Sequence, residues 1–306
     1  MARILLFTPE SQDEWSKALS EHLPSAQVSV WPEVPVCDYA ALWNPPPELF
    51  TGQDRLKAIF SLGAGVDGLL SLQSLPKGVP VVKVEDSGMA GQMTEYALYA
   101  ALHQLRRFQH YAEAQACGLW NPAEMRYRCD LSVGVLGLGS LGSQVASQLA
   151  DFGFTVRAWS RTSKNLRNVD CTSGEAGLED VLKNSEVLIV LLPLNSQTSG
   201  LLDHDRLALL PQGTCVVNVS RGPIVVEHDL LQLLNSGHIS RAFLDVFANE
   251  PLAADHPFWS HPRVTVTPHV AAQTPIDPAA AQIAAKILRI ERGDPITGVA
   301  SRVSGY

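Results

Sequence analysis

Ser132-Val133-Gly134-Val135-Leu136-Gly137-Leu138-Gly139-Ser140-Leu141-Gly142 is the stretch on which the reading of the fold turns. It starts as an apolar run that predicts a short buried strand, and that run leads directly into Gly-x-Gly-x-x-Gly. Beyond it Val145, Ala146, Leu149, Ala150 and Phe152 recur at helical spacing. Strand, glycine turn and helix together are the context in which this motif binds a dinucleotide. Gly137 would permit the tight turn, Gly139 would let the backbone approach a pyrophosphate, and Gly142 would let the helix pack on the strand. The phosphates would sit at the helix N-terminus. Glycine-rich turns also arise for steric reasons alone, so the flanking strand and helix carry the reading.

A dinucleotide fold places its ribose selector about 20 residues further on, at the end of the second strand. That strand is predicted over Thr155-Val156-Arg157-Ala158-Trp159, followed by Ser160-Arg161-Thr162-Ser163-Lys164. NAD binders carry Asp or Glu at this point. Here no acid occurs between Thr155 and Val169, while Arg157, Arg161, Lys164 and Arg167 do. A guanidinium with hydroxyls around it suits a 2′-phosphate, since arginine holds phosphate oxygens with a planar fork. The expected cofactor is NADP(H); the alternative is a solvated basic turn.

Outward from this centre, strands are predicted at residues 4–7, 27–31, 40–43, 58–62 and 81–84, with a helix at 15–23. Asn44-Pro45-Pro46-Pro47 ends one strand as a rigid loop. A long helical run then passes through Glu95, Ala97, Leu98, Ala101, Leu102, Leu105 and Phe108. Further strands are expected at 187–192, 215–218, 242–245 and 264–267. Helices are expected at 229–235, capped by Gly237, and at 279–292. The fold class is α/β, with two Rossmann-like doubly wound parallel-sheet domains. The nucleotide domain, 93–275, is inserted in a substrate domain made of 1–92 and 276–306.

At 306 residues, the length suits two domains. A hydrophobic content of 46% with 18% charged residues is that of an ordinary globular chain. The net charge of −8 weighs against nucleic acid or an anionic membrane as the main partner. The five cysteines are scattered, odd in number and never spaced C-x-x-C, which points to buried thiols in a reducing, cytoplasmic setting rather than a disulfide framework. His256 and His261 lie in a proline-containing stretch without an evident third ligand, so no metal is expected.

Three polar residues follow predicted strands, where open α/β sheets put their ligand crevice. Arg221 follows Val217-Asn218-Val219-Ser220; Glu250 lies in Phe247-Ala248-Asn249-Glu250-Pro251; His269 lies in Thr267-Pro268-His269-Val270. Singly, each could be a strand-end cap, a surface acid or a packed loop histidine. Together behind the glycine turn they fit the reduction of a 2-keto acid. That reaction needs a cation for the carboxylate, a proton for the developing alkoxide, and a carboxylate that favours the imidazolium.

With these residues the chain resembles the D-isomer-specific 2-hydroxyacid dehydrogenases, nearly end to end. Besides the glycine turn, the likeness includes Ala41-Leu42-Trp43-Asn44-Pro45-Pro46, Leu62-Gly63-Ala64-Gly65-Val66-Asp67, Glu85-Asp86-Ser87-Gly88-Met89 and Ser220-Arg221-Gly222. It continues in Asp245-Val246-Phe247, Glu250-Pro251-Leu252, Thr267-Pro268-His269-Val270-Ala271-Ala272 and Gly305-Tyr306. The resemblance, strongest to the glyoxylate- and hydroxypyruvate-reducing members, implies an oxidoreductase acting on small 2-keto acids. It implies catalytic Arg221, Glu250 and His269, and substrate contacts from Trp43 and the backbone of Ala64-Gly65 as well as from Arg221 and His269. It implies cofactor contacts from Gly137, Gly139, Ser140, Leu141, Gly142, Ser160, Arg161, Thr162, Pro193, Ser220 and Asp245, the last at the nicotinamide carboxamide. It also implies a homodimer paired through the nucleotide domains. A phosphoglycerate-type dehydrogenase, which the basic selector disfavours, and a non-catalytic dinucleotide sensor on the same fold are the alternatives.

Overall fold

The computed structural model describes every residue except Glu33, Val303, Ser304 and Tyr306. The closing Gly305-Tyr306 of the resemblance therefore falls partly outside the described residues. The chain divides into two compact units, Met1–Met89 with Thr274–Tyr306, and Ala90–Gln273. The boundary expected at 92/93 lies within the helix Met89–Leu105, and the one expected at 275/276 lies where the helix Ile276–Arg292 begins. In both places the chain passes between units at a helix start.

The first unit contains β1 (Arg3–Phe7), β2 (Gln27–Val30), β3 (Tyr39–Leu42), β4 (Ala58–Ser61) and β5 (Val81–Val82). They form one parallel sheet in the order β2-β1-β3-β4-β5. This is the flavodoxin-like order, whose reversal falls between β1 and β3. Every residue of β3 and β4 is buried, as expected of parallel strands covered on both faces. The helix Ile276–Arg292 supplies part of that cover, burying Ala279, Ala280, Ile283, Ala284 and Ile287 at helical spacing. Polar contacts tie it down: Asp277 to His22 at 2.8 Å, Glu291 to Tyr39 and Lys57, and Lys286 Nζ to the Lys83 carbonyl at 3.0 Å.

The second unit contains β6 (Ser132–Leu136), β7 (Thr155–Trp159), β8 (Val169–Thr172), β9 (Val187–Val190), β10 (Thr214–Asn218), β11 (Ile239–Leu244) and β12 (Val264–Val266). All pair in parallel, in the order β12-β11-β10-β9-β6-β7-β8. Counted from β6, this is the Rossmann order with one added strand, and the order reverses between β6 and β9. Two apolar layers cover the sheet, one including Ala97, Ala101, Val145 and Leu149, the other Leu178, Leu182, Leu230 and Leu234.

Two elements differ from the sequence expectation. β8, Val-Asp-Cys-Thr, is an edge strand paired only with β7 and has no fully buried residue, so it lacks an apolar signal. The long helical run is two helices, Met89–Leu105 and Phe108–Ala116, broken where Arg107 takes φ +53°. Neither Gly nor Pro marks that break in the sequence. Among the described residues no helix is long and apolar enough to cross a membrane.

Candidate active site

The glycine turn follows β6, at the point where the strand order reverses. Gly137 has φ +108°, and a Cβ there would lie 2.6 Å from the Leu191 carbonyl oxygen. A Cβ on Gly142 would lie 1.9 Å from the Gly137 carbonyl oxygen, so helix and turn touch backbone to backbone. Gly139 is different: a Cβ there would meet no described atom within 4 Å. Gly139 and Ser140 are exposed, and the helix Ser140–Phe152 has no side-chain cap and no acid in its first turn. An open glycine before an uncapped helix start fits a pyrophosphate. Pro193, in the loop after β9 across the reversal, has its carbonyl held by Thr198 Oγ1 at 2.6 Å.

At the end of β7, Ser160 is buried and its hydroxyl donates to the Thr162 carbonyl at 2.7 Å, which closes the selector turn and leaves Arg161 and Thr162 exposed. Arg157 is drawn away from this turn. Its Nη1 contacts Asp170 at 2.8 Å and Asp180 at 3.2 Å, so the nearest acids bind the sheet rather than a ribose. Asp170 belongs to the edge strand that the sequence pattern did not reveal.

The loops after β10, β11 and β12 form one backbone-locked cluster. Asn218 at the end of β10 accepts from Ser220 N and Oγ, at 3.2 and 2.9 Å, and its Nδ2 donates to the Arg221 carbonyl at 3.1 Å. Arg221 Nη1 donates to the Ser220 carbonyl at 2.7 Å. Gly222 packs on the next loop: a Cβ there would lie 1.8 Å from the Phe247 carbonyl carbon. Glu250 accepts from Phe247 N through Oε1 at 2.9 Å and meets His269 Nδ1 through Oε2 at 2.8 Å.

His269 has φ +56°, a left-handed conformation unusual for a side chain of this size. Such backbone costs of order 1–3 kcal/mol and persists where the surroundings impose it. Here Asp245 imposes it. Its carbonyl accepts from His269 N at 2.8 Å; its Oδ1 accepts from Val270 N at 2.8 Å and Thr267 Oγ1 at 2.6 Å; its Oδ2 accepts from Ala271 N at 2.9 Å. Thr267 gives its hydrogen to that carboxylate, so Tyr96 must be the donor in the 2.8 Å contact between their hydroxyls. Burial pushes the Tyr96 phenol up to about 12, which keeps that donor protonated. Asp245 is thus the clasp of the His269 loop.

The residues expected to contact substrate from the first unit follow β3 and β4. Trp43 N donates to the Phe7 carbonyl at 2.8 Å, and the indole covers Gly63 so closely that a Cβ there would lie 2.9 Å from the ring. Ser61, fully buried at the end of β4, donates to the Gly65 carbonyl at 2.7 Å and accepts from Gly63 N at 3.3 Å, folding the turn that presents Ala64 and Gly65. Ser61, Asn218, Thr267 and Tyr96 all escaped the sequence reading. Their one signal was a polar residue at the end of, or facing, an apolar strand. Among the described residues, no three His, Cys, Asp or Glu side chains come together as a metal site.

Residues 98–271 match the family described as D-isomer specific 2-hydroxyacid dehydrogenase, NAD binding domain. The chain is 44% identical over 301 residues to a glyoxylate/hydroxypyruvate reductase A of Serratia proteamaculans (strain 568), covering 96% of each. Among solved structures it is similar to a D-isomer specific 2-hydroxyacid dehydrogenase from Xanthobacter autotrophicus Py2 in complex with NADPH and MES. The TM-score is 0.96 at 38% identity, over 100% of this chain and 99% of that one. It is also similar to the NADPH-dependent glyoxylate/hydroxypyruvate reductase of Sinorhizobium meliloti in complex with NADP and sulfate, with TM-score 0.94, 33% identity and 100% of both chains covered. Reached from the residues upward and from these similarities alike, the conclusion is that this chain belongs to the D-isomer-specific 2-hydroxyacid dehydrogenase family.

Proposed function

We propose that this protein reduces small 2-keto acids, glyoxylate and hydroxypyruvate among them, to the 2-hydroxy acids with NADPH. The observation that carries the reading is His269 at φ +56°, clasped by Asp245 and paired with Glu250 at 2.8 Å beside the Arg221 loop. Gly137, Gly139, Ser140, Leu141 and Gly142 would hold the pyrophosphate, Ser160, Arg161 and Thr162 the 2′-phosphate, and Pro193, Ser220 and Asp245 the nicotinamide end. When bound, the cofactor supplies the hydride that adds to the keto carbon. Arg221 orients the keto acid through its planar guanidinium. With Nδ1 turned to Glu250, His269 delivers its Nε2 proton to the keto oxygen as negative charge develops there. Glu250 orients the imidazole through its contact with Nδ1. Trp43 and the amides of Ala64 and Gly65 are assigned to substrate recognition, within the two-domain division read from the sequence.

The wider setting is part of the same proposal. Trp120 is 98% exposed, and Leu119, Met125, Tyr127, Phe108 and Tyr99 are exposed around it in sequence, an apolar row suited to a second copy of this chain. Cys37 and Cys215 are buried as expected, whereas Cys117 and Cys129 are exposed; all five thiols are free, which supports a cytoplasmic setting. The test is NADPH oxidation against a panel of 2-keto acids, repeated with NADH. Turnover of glyoxylate or hydroxypyruvate with a higher kcat/KM for NADPH is expected. Preference for NADH, or no turnover of any keto acid, would refute the assignment.

A further inference from the structure

The loop that carries Glu250 is gripped from a second side by a residue remote from the reacting pair. Glu227 opens the helix Glu227–Ser236, and its Oε1 accepts from Ala248 N at 2.8 Å. The neighbouring amide, Phe247 N, donates to Glu250. The two carboxylates therefore hold consecutive amides of one turn, and Gly222 backs the peptide between them. The other oxygen of Glu227 faces His256 Nε2 at 3.6 Å. His256 Nδ1 accepts from Phe258 N at 3.3 Å, so in the neutral ring the hydrogen sits on Nε2, toward Glu227. The imidazole is itself packed on Phe258, with ring centroids 4.7 Å apart. Glu227 thus lies between a packed ring and the turn, with only 24% of its side chain exposed.

We propose that Glu227 is a positioning residue for the reaction, holding the 247–250 turn so that Glu250 stays within hydrogen-bond reach of His269. This rests on the assignment of Glu250 and His269 given above and adds a residue to it. A carboxylate bound to a backbone N–H makes a charge-assisted bond, stronger than the one the amide makes to water. Without it the 247–248 peptide can turn, the Phe247 amide leaves Glu250, and Glu250 withdraws from Nδ1. The imidazole then loses the partner that orients it, and proton delivery from Nε2 slows.

Two measurements on Glu227→Ala and Glu227→Gln test this. In amide hydrogen exchange, Glu227→Ala should speed exchange at both Ala248 and Phe247. Glu227→Gln, whose amide oxygen still accepts, should keep both protected. Faster exchange at Ala248 alone overturns the proposal, because Glu250 then keeps its hold without Glu227. In single-turnover hydride transfer from NADPH, Glu227→Ala should lower the rate about tenfold, as displaced catalytic groups do. Keto-acid KM and NADPH affinity should stay nearly unchanged. A folded Glu227→Ala protein with the parental rate also overturns it. Should that variant not fold, Glu227→Asp, one methylene too short to reach, replaces it with the same outcomes. Glu250→Gln is the reference. If it too leaves the rate unchanged, the assignment of Glu250 and His269 has failed; if it lowers the rate and Glu227→Ala does not, only the positioning role falls.

Discussion

In each of the two sheets the first strand runs straight into a helix, yet the two junctions are built differently. After β1 the chain reads Thr8-Pro9-Glu10-Ser11 before the helix Gln12–His22, whose first turn carries Asp13 and Glu14. After β6 it reads Gly137-Leu138-Gly139 before Ser140–Phe152, whose first turn carries no acid. In the first unit the partial positive charge of the helix start meets carboxylates from its own chain. In the second the glycines bring the backbone close, and the helix start faces outward at an exposed Gly139. A shared sheet plan does not confer a shared ligand; a few residues at one turn decide which helix can take a phosphate.

The largest expected effect tests whether the chemistry belongs to the strand ends of the second sheet. His269→Gln keeps a polar side chain but has no proton to give, so kcat should fall by roughly 10²–10⁴ with NADPH affinity nearly intact. Thermal melting alongside single-turnover hydride transfer separates this from a folding defect, and a folded variant with parental turnover would end the mechanism. Next, Ser140→Glu gives the second junction the acid that the first already has. NADPH binding measured by fluorescence titration should weaken by about tenfold or more, while the melting temperature holds or rises, since an acid there favours the helix. Unchanged NADPH binding would break the comparison.

A smaller contrast separates two glycines of the same turn. Gly142→Ala forces a Cβ to within 1.9 Å of the Gly137 carbonyl oxygen and should lower stability by about 1–3 kcal/mol. Gly139→Ala meets no described atom and should melt like the parent while binding NADPH more weakly. Urea titrations with and without NADPH would show both, and equal destabilisation by the two would assign the turn to packing alone. The smallest effect belongs to the first unit, whose charged groups serve the fold. Burial would raise the Glu85 carboxyl, but hydrogen bonds from Thr297 and Lys286 and the charges of Lys286 and Lys83 outweigh it and hold it below its ordinary value. A depressed carboxyl stabilises the fold at pH above its unfolded value and loses that effect as pH falls through the folded one. The melting difference between the parent and Glu85→Gln should therefore be full at pH 7 and shrink below about pH 4. A difference independent of pH would show that Glu85 acts through shape rather than charge.

What the sequence disclosed follows from which features leave a mark in residue type. The glycine turn was legible because a positive φ and two close backbone approaches exclude most other residues. The three strand-end positions were legible because Arg, Glu and His appear where apolar runs stop. The edge strand β8 was not, since an exposed strand needs no apolar alternation. The break at Arg107 was not, since neither Gly nor Pro marks it. Nor were the clasps: Asp245 reads as a cofactor contact in a motif, yet its carboxylate accepts three hydrogen bonds from the loop it shapes. Glu227 lies two residues before the helix expected at 229–235 and belongs to no motif; only the structure shows that it opens that helix.

The insertion of one unit within the other bears on how the chain is made. A nascent chain releases Met1–Met89 first, then all of Ala90–Gln273, and only afterwards the residues from Thr274 onward. The first sheet must wait, because the helix that covers it, with Ile283, Lys286 and Ile287, is synthesised last. The second unit waits for nothing. Its two ends are joined by their own hydrogen bonds, Gln92 Nε2 to the Gln273 carbonyl at 2.9 Å and Gln273 N to Gln92 Oε1 at 3.1 Å. On the ribosome the inserted unit should reach its native state while the unit begun before it is still open. Ribosome-bound chains arrested after Gln273 has cleared the exit tunnel should resist proteolysis within residues 90–273 and be cut within 1–89. Equal resistance of both segments would show that the first sheet closes without its last helix.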